Sequence, residues 1–260
     1  MKVLITGARG RLGQKLVPRL EGEHELRLLS RRRVEGEARW RQADITDLDQ
    51  VMPACAGMDA VVHLAIATGH EGDYEEDGFN AARFDINVKG TYNVFEAAAR
   101  AGVRRVVYAS SLTVVWGYPP PAWVPGDAPA RPVDTYGLTK YLGEEIARYY
   151  ARMHPLSAMC LRLPAPVDVE DPASRQRALL PQWLAFPDMV EAFALALAAP
   201  AAGMEIVTVV GESSKRRWDV SRAERVLGWK PRTRLEDEGY TLREEPADYA
   251  PPGSVHGDQA

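Results

Sequence analysis

The chain has 260 residues, of which 46% are hydrophobic and 26% charged, and its formal net charge is −4. This is the composition of a globular protein with a large core, and it predicts one α/β domain with a small appended lobe. The negative balance argues against nucleic-acid binding, which usually needs a basic face. No stretch approaches membrane-spanning length and no cleavable apolar segment precedes the first strand. With only Cys55 and Cys160 as thiols, we expect a cytoplasmic protein that does not associate with a membrane and contains no disulfide bond.

Short apolar strands alternate with helices along residues 1–162. The sequence predicts strands over 2–6, 25–29, 39–43, 60–64, 104–109 and 157–161. It predicts helices over 11–20, 80–101 and 135–153. Strands of about five residues separated by helices are typical of βαβ crossovers, so the fold class is α/β, a doubly wound Rossmann-type parallel sheet.

Residues 163–246 are predicted to form a small substrate-binding lobe interleaved with this core. The pattern gives helices over 187–199 and 220–227 and a strand over 205–210. The acidic stretch 168–171 reads as an active-site loop, and no metal site is predicted because no histidine or close carboxylate partner accompanies it. Residues 247–260, rich in proline, glycine and small polar residues, are predicted to be a disordered tail.

The first strand runs directly into a glycine pattern at Gly7, Gly10 and Gly13, which then opens a helix. Gly7 permits a tight turn, Gly10 lets the backbone approach a pyrophosphate, and Gly13 lets the helix pack on the strand. The pyrophosphate would lie at the helix N-terminus, where amides and the dipole favour negative charge. An ordinary glycine-rich turn is the alternative, and the strand–turn–helix context favours dinucleotide binding.

The end of the second strand indicates which dinucleotide binds. An acid there would bind the ribose hydroxyls of NAD, whereas arginine accommodates the 2′-phosphate of NADP. The chain has Ser30, Arg31 and Arg32 at this point and no acid, so NADP is the preferred cofactor and NAD a possible one. A solvated cationic loop is the alternative. Asp44, beyond the third strand, is placed to accept a hydrogen bond from the adenine amino group.

Tyr136 and Lys140 lie four residues apart on one predicted helix and therefore share a face. Ser111 follows an apolar strand, at the sheet edge where open α/β folds bind ligands. Tyr136 would exchange a proton with a substrate oxygen held by Ser111, while Lys140 holds the nicotinamide ribose. The Lys140 ammonium and an oxidised nicotinamide are expected to lower the pKa of Tyr136 together. If the spacing of Tyr136 and Lys140 is considered without the other motifs, the alternative interpretation is a pair of side chains on the surface of a helix.

Small residues at Gly143 and Ala147 continue the face that carries Tyr136 and Lys140. They would let another element approach closely, and a helix of a second subunit is one candidate. This gives the hypothesis of a homodimer through this helix and the long helix before it. His63, at the end of the strand over 60–64, is expected to be a satisfied strand-end residue and not a catalyst.

With these motifs, the sequence resembles the extended short-chain dehydrogenase/reductase family, also called the NAD-dependent epimerase/dehydratase family. The resemblance runs from the glycine loop to the segment 222–231, which ends in Gly228-Trp229-Lys230-Pro231, and includes the stretches 62–65, 87–91 and 108–111. It implies that Ser111, Tyr136 and Lys140 form a catalytic triad. It also implies cofactor contacts at Gly7, Gly10, Arg11, Leu12, Gly13, Asp44, Ile45, Leu64, Ala65, Asn87, Tyr136 and Lys140.

Within that family the chain is most similar to the uronate dehydrogenases, in length and in the stretches 128–132 and 143–148. It departs from them where Leu112 and Thr113 replace an Asn-His pair, and where the second strand lacks a terminal aspartate. The resemblance makes Ser111, Thr113, Arg175 and Arg177 candidates for substrate contacts, the two arginines for binding a carboxylate.

Three functions remain open from the sequence. The first is hydride transfer between a nicotinamide and a carbinol or carbonyl of a sugar, sugar acid or similar small molecule. The second is epimerisation or dehydration of a nucleotide sugar, which the limited length after residue 162 disfavours. The third is a cofactor-sensing regulator without enzymatic activity, which would have no use for Ser111, Tyr136 and Lys140.

Overall fold

A computed structural model describes residues 1–36, 38–69, 72–200 and 203–246. The tail predicted over 247–260 lies outside the described residues. The strands in chain order are β1 (Lys2–Thr6), β2 (Glu25–Ser30), β3 (Trp40–Gln42), β4 (Ala60–His63), β5 (Arg105–Ser111), β6 (Ser157–Leu163), β7 (Pro166–Val167), β8 (Leu184–Ala185) and β9 (Met204–Thr208).

Seven of these strands form one parallel sheet in the order β3-β2-β1-β4-β5-β6-β9. The inner strands β4 and β6 are buried along their whole length, as expected for strands covered by helices on both faces. The order reverses between β1 and β4, so the carboxyl ends of these strands open a crevice at the switch point. The predicted Rossmann-type fold class is confirmed.

The helices are α1 (Arg11–Leu20), α2 (Leu48–Cys55), α3 (Asp77–Arg83), a π-helical segment (Phe84–Lys89), α4 (Gly90–Arg100), α5 (Thr135–Met153), α6 (Phe186–Ala198) and α7 (Ser221–Leu227). One buried apolar cluster joins the sheet to α1, α6 and α7. A second cluster joins the other face to α2, α4 and α5. No helix in the described parts of the chain combines the length and the apolar character needed to cross a membrane.

Among the helices, the structure differs from the predicted elements at α2 and over 80–101. Helix α2 was not predicted, because it has only eight residues and contains Pro53. Its N-terminal signal is Asp47, whose side chain accepts a hydrogen bond from Asp49 N. The helix predicted over 80–101 is three consecutive segments, since a π-helical stretch separates α3 from α4.

The segment after β6 contributes a strand to the main sheet and a helix to its surface. Strand β9 pairs with β6, and α6 packs against α1 on one face. The short pair β7–β8 lies outside the main sheet. This interleaving makes residue 162 a strand position inside the fold, and the division into a core over 1–162 and a lobe over 163–246 stays a prediction.

Candidate active site

The backbone of the glycine turn after β1 packs closely against neighbouring backbone segments. Gly7 has a φ of +67°, a left-handed conformation that glycine adopts readily. A Cβ at this position would lie 2.7 Å from Ala65 N, so the turn is pressed against the segment that follows β4. A Cβ at Gly13 would lie 2.5 Å from Ala8 O, which explains the third glycine. Close backbone contacts therefore account for Gly7 and Gly13, while the approach of Gly10 to a pyrophosphate stays a prediction.

The N-terminus of α1 is suited to an anion. Gly10 is its N-cap and supplies no side-chain hydrogen bond, and no acidic residue occupies the first turn. The terminal amides therefore lack a side-chain acceptor, the arrangement in which a helix binds a phosphate. Arg11 is exposed and its guanidinium lies 5.8 Å from the ring centroid of Phe186, while Leu12 packs against the apolar core.

A cavity of about 400 Å³ opens between the glycine turn and the ends of β2 and β4. Nine residues predicted to contact a cofactor line it: Gly7, Gly10, Ser30, Arg31, Arg32, Asp44, Ile45, Leu64 and Ala65. The other lining residues are Arg9, Leu29, Ala43, Ile66, Thr68 and Ile86. Sequence reasoning missed these six, although Ile66 and Thr68 directly follow β4 at the switch point. The uncapped helix and the close glycine turn fit a dinucleotide here.

The other predicted cofactor contacts lie outside the lining of this cavity. Gly13 is buried within α1, and Tyr136 and Lys140 belong to the group of predicted catalytic residues described below. Asn87 links two elements: its Oδ1 accepts from Ala67 N at 2.8 Å and its Nδ2 donates to Thr139 Oγ1 at 3.1 Å. Both ends of its amide thus hold the segment after β4 against α5.

The charged side chains that follow β2 and β3 differ in exposure where they line the cavity. Arg31 and Arg32 are exposed, and the Ser30 hydroxyl accepts a hydrogen bond from Arg32 N at 3.2 Å. Asp44 is half-buried, and its Oδ1 accepts from both the amide and the hydroxyl of Thr46, at 2.9 and 2.8 Å. One end of the cavity is therefore lined by the solvent-exposed guanidinium groups of Arg31 and Arg32 and by the Asp44 carboxylate, which is held in place by hydrogen bonds from Thr46.

Ser111 is the last residue of β5 and is buried. The prediction ended this strand at 109, two residues too early. The Ser111 Oγ accepts hydrogen bonds from Thr113 N at 3.2 Å and from Thr113 Oγ1 at 2.8 Å. With two donors on its oxygen, the hydroxyl proton of Ser111 is available for donation to a third group. That group is Tyr136, whose pKa is lowered by a hydrogen bond from Ser111.

Tyr136 lies in the first turn of α5, whose N-cap Asp134 accepts from Gly137 N at 2.6 Å. Burial is the main influence on its phenol and, with the Asp134 carboxylate, raises the pKa of Tyr136 to about 12. Hydrogen bonding from Ser111 and the charge of Arg83 act in the opposite direction. The expected lowering of this pKa is therefore not supplied by the protein alone, and an oxidised nicotinamide is the remaining cation that was expected to supply it.

Lys140 is buried beside the tyrosine. Its Nζ donates to Ala109 O at 2.7 Å and lies 5.8 Å from the centroid of the Tyr136 ring. Burial lowers the pKa of Lys140 to about 7, with the negative charge of Glu144 opposing that shift. The ammonium form of Lys140 is therefore in balance with the neutral amine near neutral pH.

A second cation, Arg83, lies near the tyrosine and was missed by sequence reasoning. Its guanidinium is buried between the rings of Tyr74 and Phe79, with its carbon 3.9 and 4.3 Å from their centroids. Its Nη1 donates to Glu75 Oε1 at 3.3 Å. Arg83 lowers the pKa of Tyr136. Nothing in the local sequence marks this residue, because an arginine on an amphipathic helix usually faces solvent.

His63 is a satisfied strand-end residue, as predicted. Its Nδ1 is 2.7 Å from Thr6 Oγ1 and its Nε2 is 3.0 Å from Thr91 Oγ1. Burial, followed by the charge of Lys140, lowers the pKa of His63 to about 3. The imidazole is therefore neutral and holds β1, β4 and α4 together beneath the site.

One expectation about α5 needs correction. The element that approaches Gly143 is β5 of the same chain, where a Cβ would overlap the Tyr108 hydroxyl, and not a second subunit. Thr113 is buried and its hydroxyl donates to Ser111, so it positions the serine, while its contact with a substrate stays a prediction.

The candidate carboxylate-binding arginines lie on the surface. The Arg175 guanidinium lies 5.3 Å from the Tyr240 ring centroid, and that of Arg177 lies 5.0 Å from the Trp183 ring centroid. Both side chains are exposed and neither lines the cavity. In the described ranges, no group of three or more His, Cys, Asp or Glu residues is arranged to hold a metal ion.

The chain is similar to several proteins that are named as sugar or sugar-acid dehydrogenases. The chain is 29% identical to the NAD-dependent glucose-6-phosphate dehydrogenase of Haloferax volcanii, over 95% of this chain and 98% of that protein. It is also 29% identical to the uronate dehydrogenase of Pseudomonas putida, over 95% and 89% of the two chains. The crystal structure of uronate dehydrogenase from Agrobacterium tumefaciens superposes with a TM-score of 0.79 at 29% identity, covering 95% of this chain and 92% of that one.

A family model matches most of the sequence-derived motifs in one stretch. The model, described as the NAD dependent epimerase/dehydratase family, covers residues 3–186, from β1 to the first residue of α6. This range contains the glycine turn, Ser111, Tyr136 and Lys140. The chain therefore belongs to the NAD dependent epimerase/dehydratase family, as the resemblance of its motifs predicted.

Proposed function

We propose that the chain is an NAD(P)-dependent dehydrogenase of the extended short-chain type that oxidises a carbinol of a sugar or sugar acid. The observation that carries this proposal is the juxtaposition of buried Ser111 and Lys140 with Tyr136 at the carboxyl edge of the sheet. Lys140 Nζ lies 5.8 Å from the Tyr136 ring centroid and donates to Ala109 O, two residues before Ser111, at 2.7 Å. This juxtaposition brings a proton donor and a proton acceptor to one place, on the sheet edge that also bears the dinucleotide-type cavity. Relatives named for uronate, glucose-6-phosphate and L-arabinose oxidation support the substrate class.

The chain's own residues supply proton transfer and orientation. When bound, a nicotinamide accepts the hydride that leaves the carbinol carbon. Ser111 donates a hydrogen bond to the carbinol oxygen, and Tyr136 removes its proton, so that the C–O single bond becomes a carbonyl. Each unit by which the pKa of Tyr136 falls in the complex corresponds to about 1.4 kcal/mol of preferential stabilisation of the phenolate.

NADP is the preferred cofactor in this proposal. Arg31 and Arg32 line the cavity at the end of β2, where the strand carries no carboxylate to bind ribose hydroxyls. Two guanidinium groups favour a 2′-phosphate by charge-assisted hydrogen bonds. Titration of the protein with NADP⁺ and NAD⁺ in parallel tests this, and tighter binding of NAD⁺ would reject it.

The experiment that tests the activity is a screen of sugars, uronates and sugar phosphates with each cofactor, following absorbance of the reduced nicotinamide. Turnover of at least one free sugar or sugar acid is expected. Turnover with nucleotide sugars alone would instead favour the epimerase reading, which similarity to the UDP-glucose 4-epimerase of Mycolicibacterium smegmatis keeps open. An epimerase leaves no net reduced cofactor, so product analysis separates the two. A cofactor-sensing regulator would show neither reaction.

The chain is proposed to form a homodimer. Large apolar side chains are exposed on the helical run over 77–100 and on α5, namely Phe84, Tyr92, Leu138, Tyr149 and Met153. Exposed apolar residues on two neighbouring helices are typical of an association surface. Sedimentation equilibrium tests this, and a monomer at micromolar concentration would contradict it.

A cytoplasmic location completes the proposal. Cys55 and Cys160 are buried free thiols, and burial raises the pKa of both. Such thiols suit a reducing compartment. Fractionation of cells producing the native chain would test the location.

A further inference from the structure

Three consecutive residues at the end of β5 each bind a different functional group of α5. Ala109 O accepts from Lys140 Nζ at 2.7 Å. Ser110 Oγ donates to Glu144 Oε1 at 2.7 Å. The next residue, Ser111, hydrogen-bonds to the catalytic tyrosine one turn before Lys140. The hydrogen bond between Ser110 and Glu144 therefore joins β5 to α5 next to the catalytic serine and lysine. The proton-transfer chemistry makes no use of this bond.

Glu144 is the centre of that attachment. Its carboxylate is 1% exposed and forms a two-point pair with Arg162, with Nε to Oε1 at 2.9 Å and Nη2 to Oε2 at 2.8 Å. Arg162 lies on β6 directly opposite Ser110 in the strand register. The two strands and the helix therefore meet at one buried carboxylate that receives three hydrogen bonds.

The same carboxylate contributes to the electrostatic surroundings of Lys140. Glu144 follows Lys140 by four residues, and therefore lies one turn along the same helix face. Its charge raises the pKa of Lys140 against the effect of burial. The other titratable or charged groups around Lys140, from α5, β4, β5 and β6, are Tyr136, His63, Tyr108, Cys160 and Arg162. Glu144 is the carboxylate of this group.

We propose that Glu144 is a positioning residue, which anchors the end of β5 through Ser110 and Arg162 and holds Lys140 in its ammonium form. This rests on the proposed function for the roles of Lys140 and Ser111, but its electrostatic part is a property of the free protein. The next residue, Glu145, is half-buried with a side chain that is 41% exposed, pairs with Arg148 at 3.4 Å and provides a matched control.

The test is a direct titration of Lys140 in the protein without cofactor. The chain has six lysines, so lysine labelled with ¹³C at Cε gives few signals, and Lys140→Arg identifies the one required. We expect Glu144→Gln to lower the midpoint of the Lys140 titration by about one pH unit, and Glu145→Gln to leave it unchanged. If the single variant does not fold, the double variant Glu144→Gln with Arg162→Gln is compared with Arg162→Gln, so that both proteins lack the Arg162 charge and differ only at Glu144.

An unchanged Lys140 midpoint in a folded Glu144→Gln variant, or equal midpoints in the double variant and Arg162→Gln, would overturn the proposal. In the kinetic counterpart, the decline of kcat/KM at high pH should begin about one unit lower in Glu144→Gln than in Glu145→Gln. Equal profiles of the two variants would also overturn it. A screen that finds no sugar oxidation would reject the proposed function, while the lysine titration would still decide the role of Glu144.

Discussion

The two ends of the site differ in how the protein holds its charged groups. At the catalytic end, Lys140 is buried and hydrogen-bonded to the backbone, and Ser111 is buried between Thr113 and Tyr136. At the other end, Arg31 and Arg32 stand in solvent on the loop after β2. The catalytic end uses a low-dielectric environment to shift proton affinities by several units, whereas the exposed end contributes screened charge, which we propose selects between similar cofactors. Changes at the first should therefore be large, and changes at the second modest.

The largest effect is expected for Tyr136→Phe, which removes the proton-transfer group while leaving the ring. We expect kcat to fall about 10³-fold, or about 4 kcal/mol in activation free energy. Cofactor binding should stay within about threefold, since the cavity lining is untouched. Steady-state kinetics and a binding titration measure both quantities. Tyr149→Phe, at an exposed position of the same helix, should be indistinguishable from the parent.

Acid should destabilise the protein through His63. Its folded-state pKa of about 3 is below the ordinary 6.5, so between these values the unfolded chain binds a proton that the folded chain does not. The free energy of unfolding should therefore fall as pH drops from 6.5 towards 3, by about 1.4 kcal/mol per unit from this group. Denaturant titrations of the parent and His63→Asn should show a shallower dependence in the variant. Equal pH dependences of the unfolding free energy in the parent and the variant would contradict this prediction. At pH 7.5, where His63 is neutral in both the folded and the unfolded state, the difference in unfolding free energy between the two proteins measures packing alone.

Gly143→Ala tests how closely α5 packs on the strand behind the site. The new methyl would overlap the Tyr108 hydroxyl within the buried core. We expect the free energy of unfolding to fall by about 2 kcal/mol, as for overpacked cores. Gly22→Ala is the control, because a Cβ there meets no atom within 4 Å. A variant as stable as this control would mean that the helix lies further from β5.

The smallest effect is expected at the exposed end. Replacing Arg31 and Arg32 by alanine should weaken NADP⁺ binding about tenfold, or about 1.4 kcal/mol, and leave NAD⁺ binding unchanged. The preference of the parent should also decrease at high salt, because both guanidinium groups are in solvent. Equal losses for the two cofactors would show that these arginines do not contact the 2′-phosphate.

The sheet and the motifs could be predicted because their signals are local. The buried strands β1 and β4 are continuous apolar runs, and the glycine turn follows the first of them directly. The prediction was less successful where the signal is short or interrupted, as in α2 with Pro53 and in the π-helical Phe84–Lys89. Strand β5 was ended too early because Ser110 and Ser111 look like loop residues, although both are buried at the end of the strand.

By itself, the sequence determined the alternation of most strands and helices, the glycine turn directly after the first strand, and the shared helical face of Tyr136 and Lys140. These depend on residue spacing along the chain, which periodicity fixes. Only the tertiary structure decided which ionisable groups are desolvated and which charges face them. Arg83 acts on Tyr136, and Glu144 pairs with Arg162, because packing brings distant segments together. Proton affinities depend on burial and on neighbours in space, and neither can be read from positions along the chain.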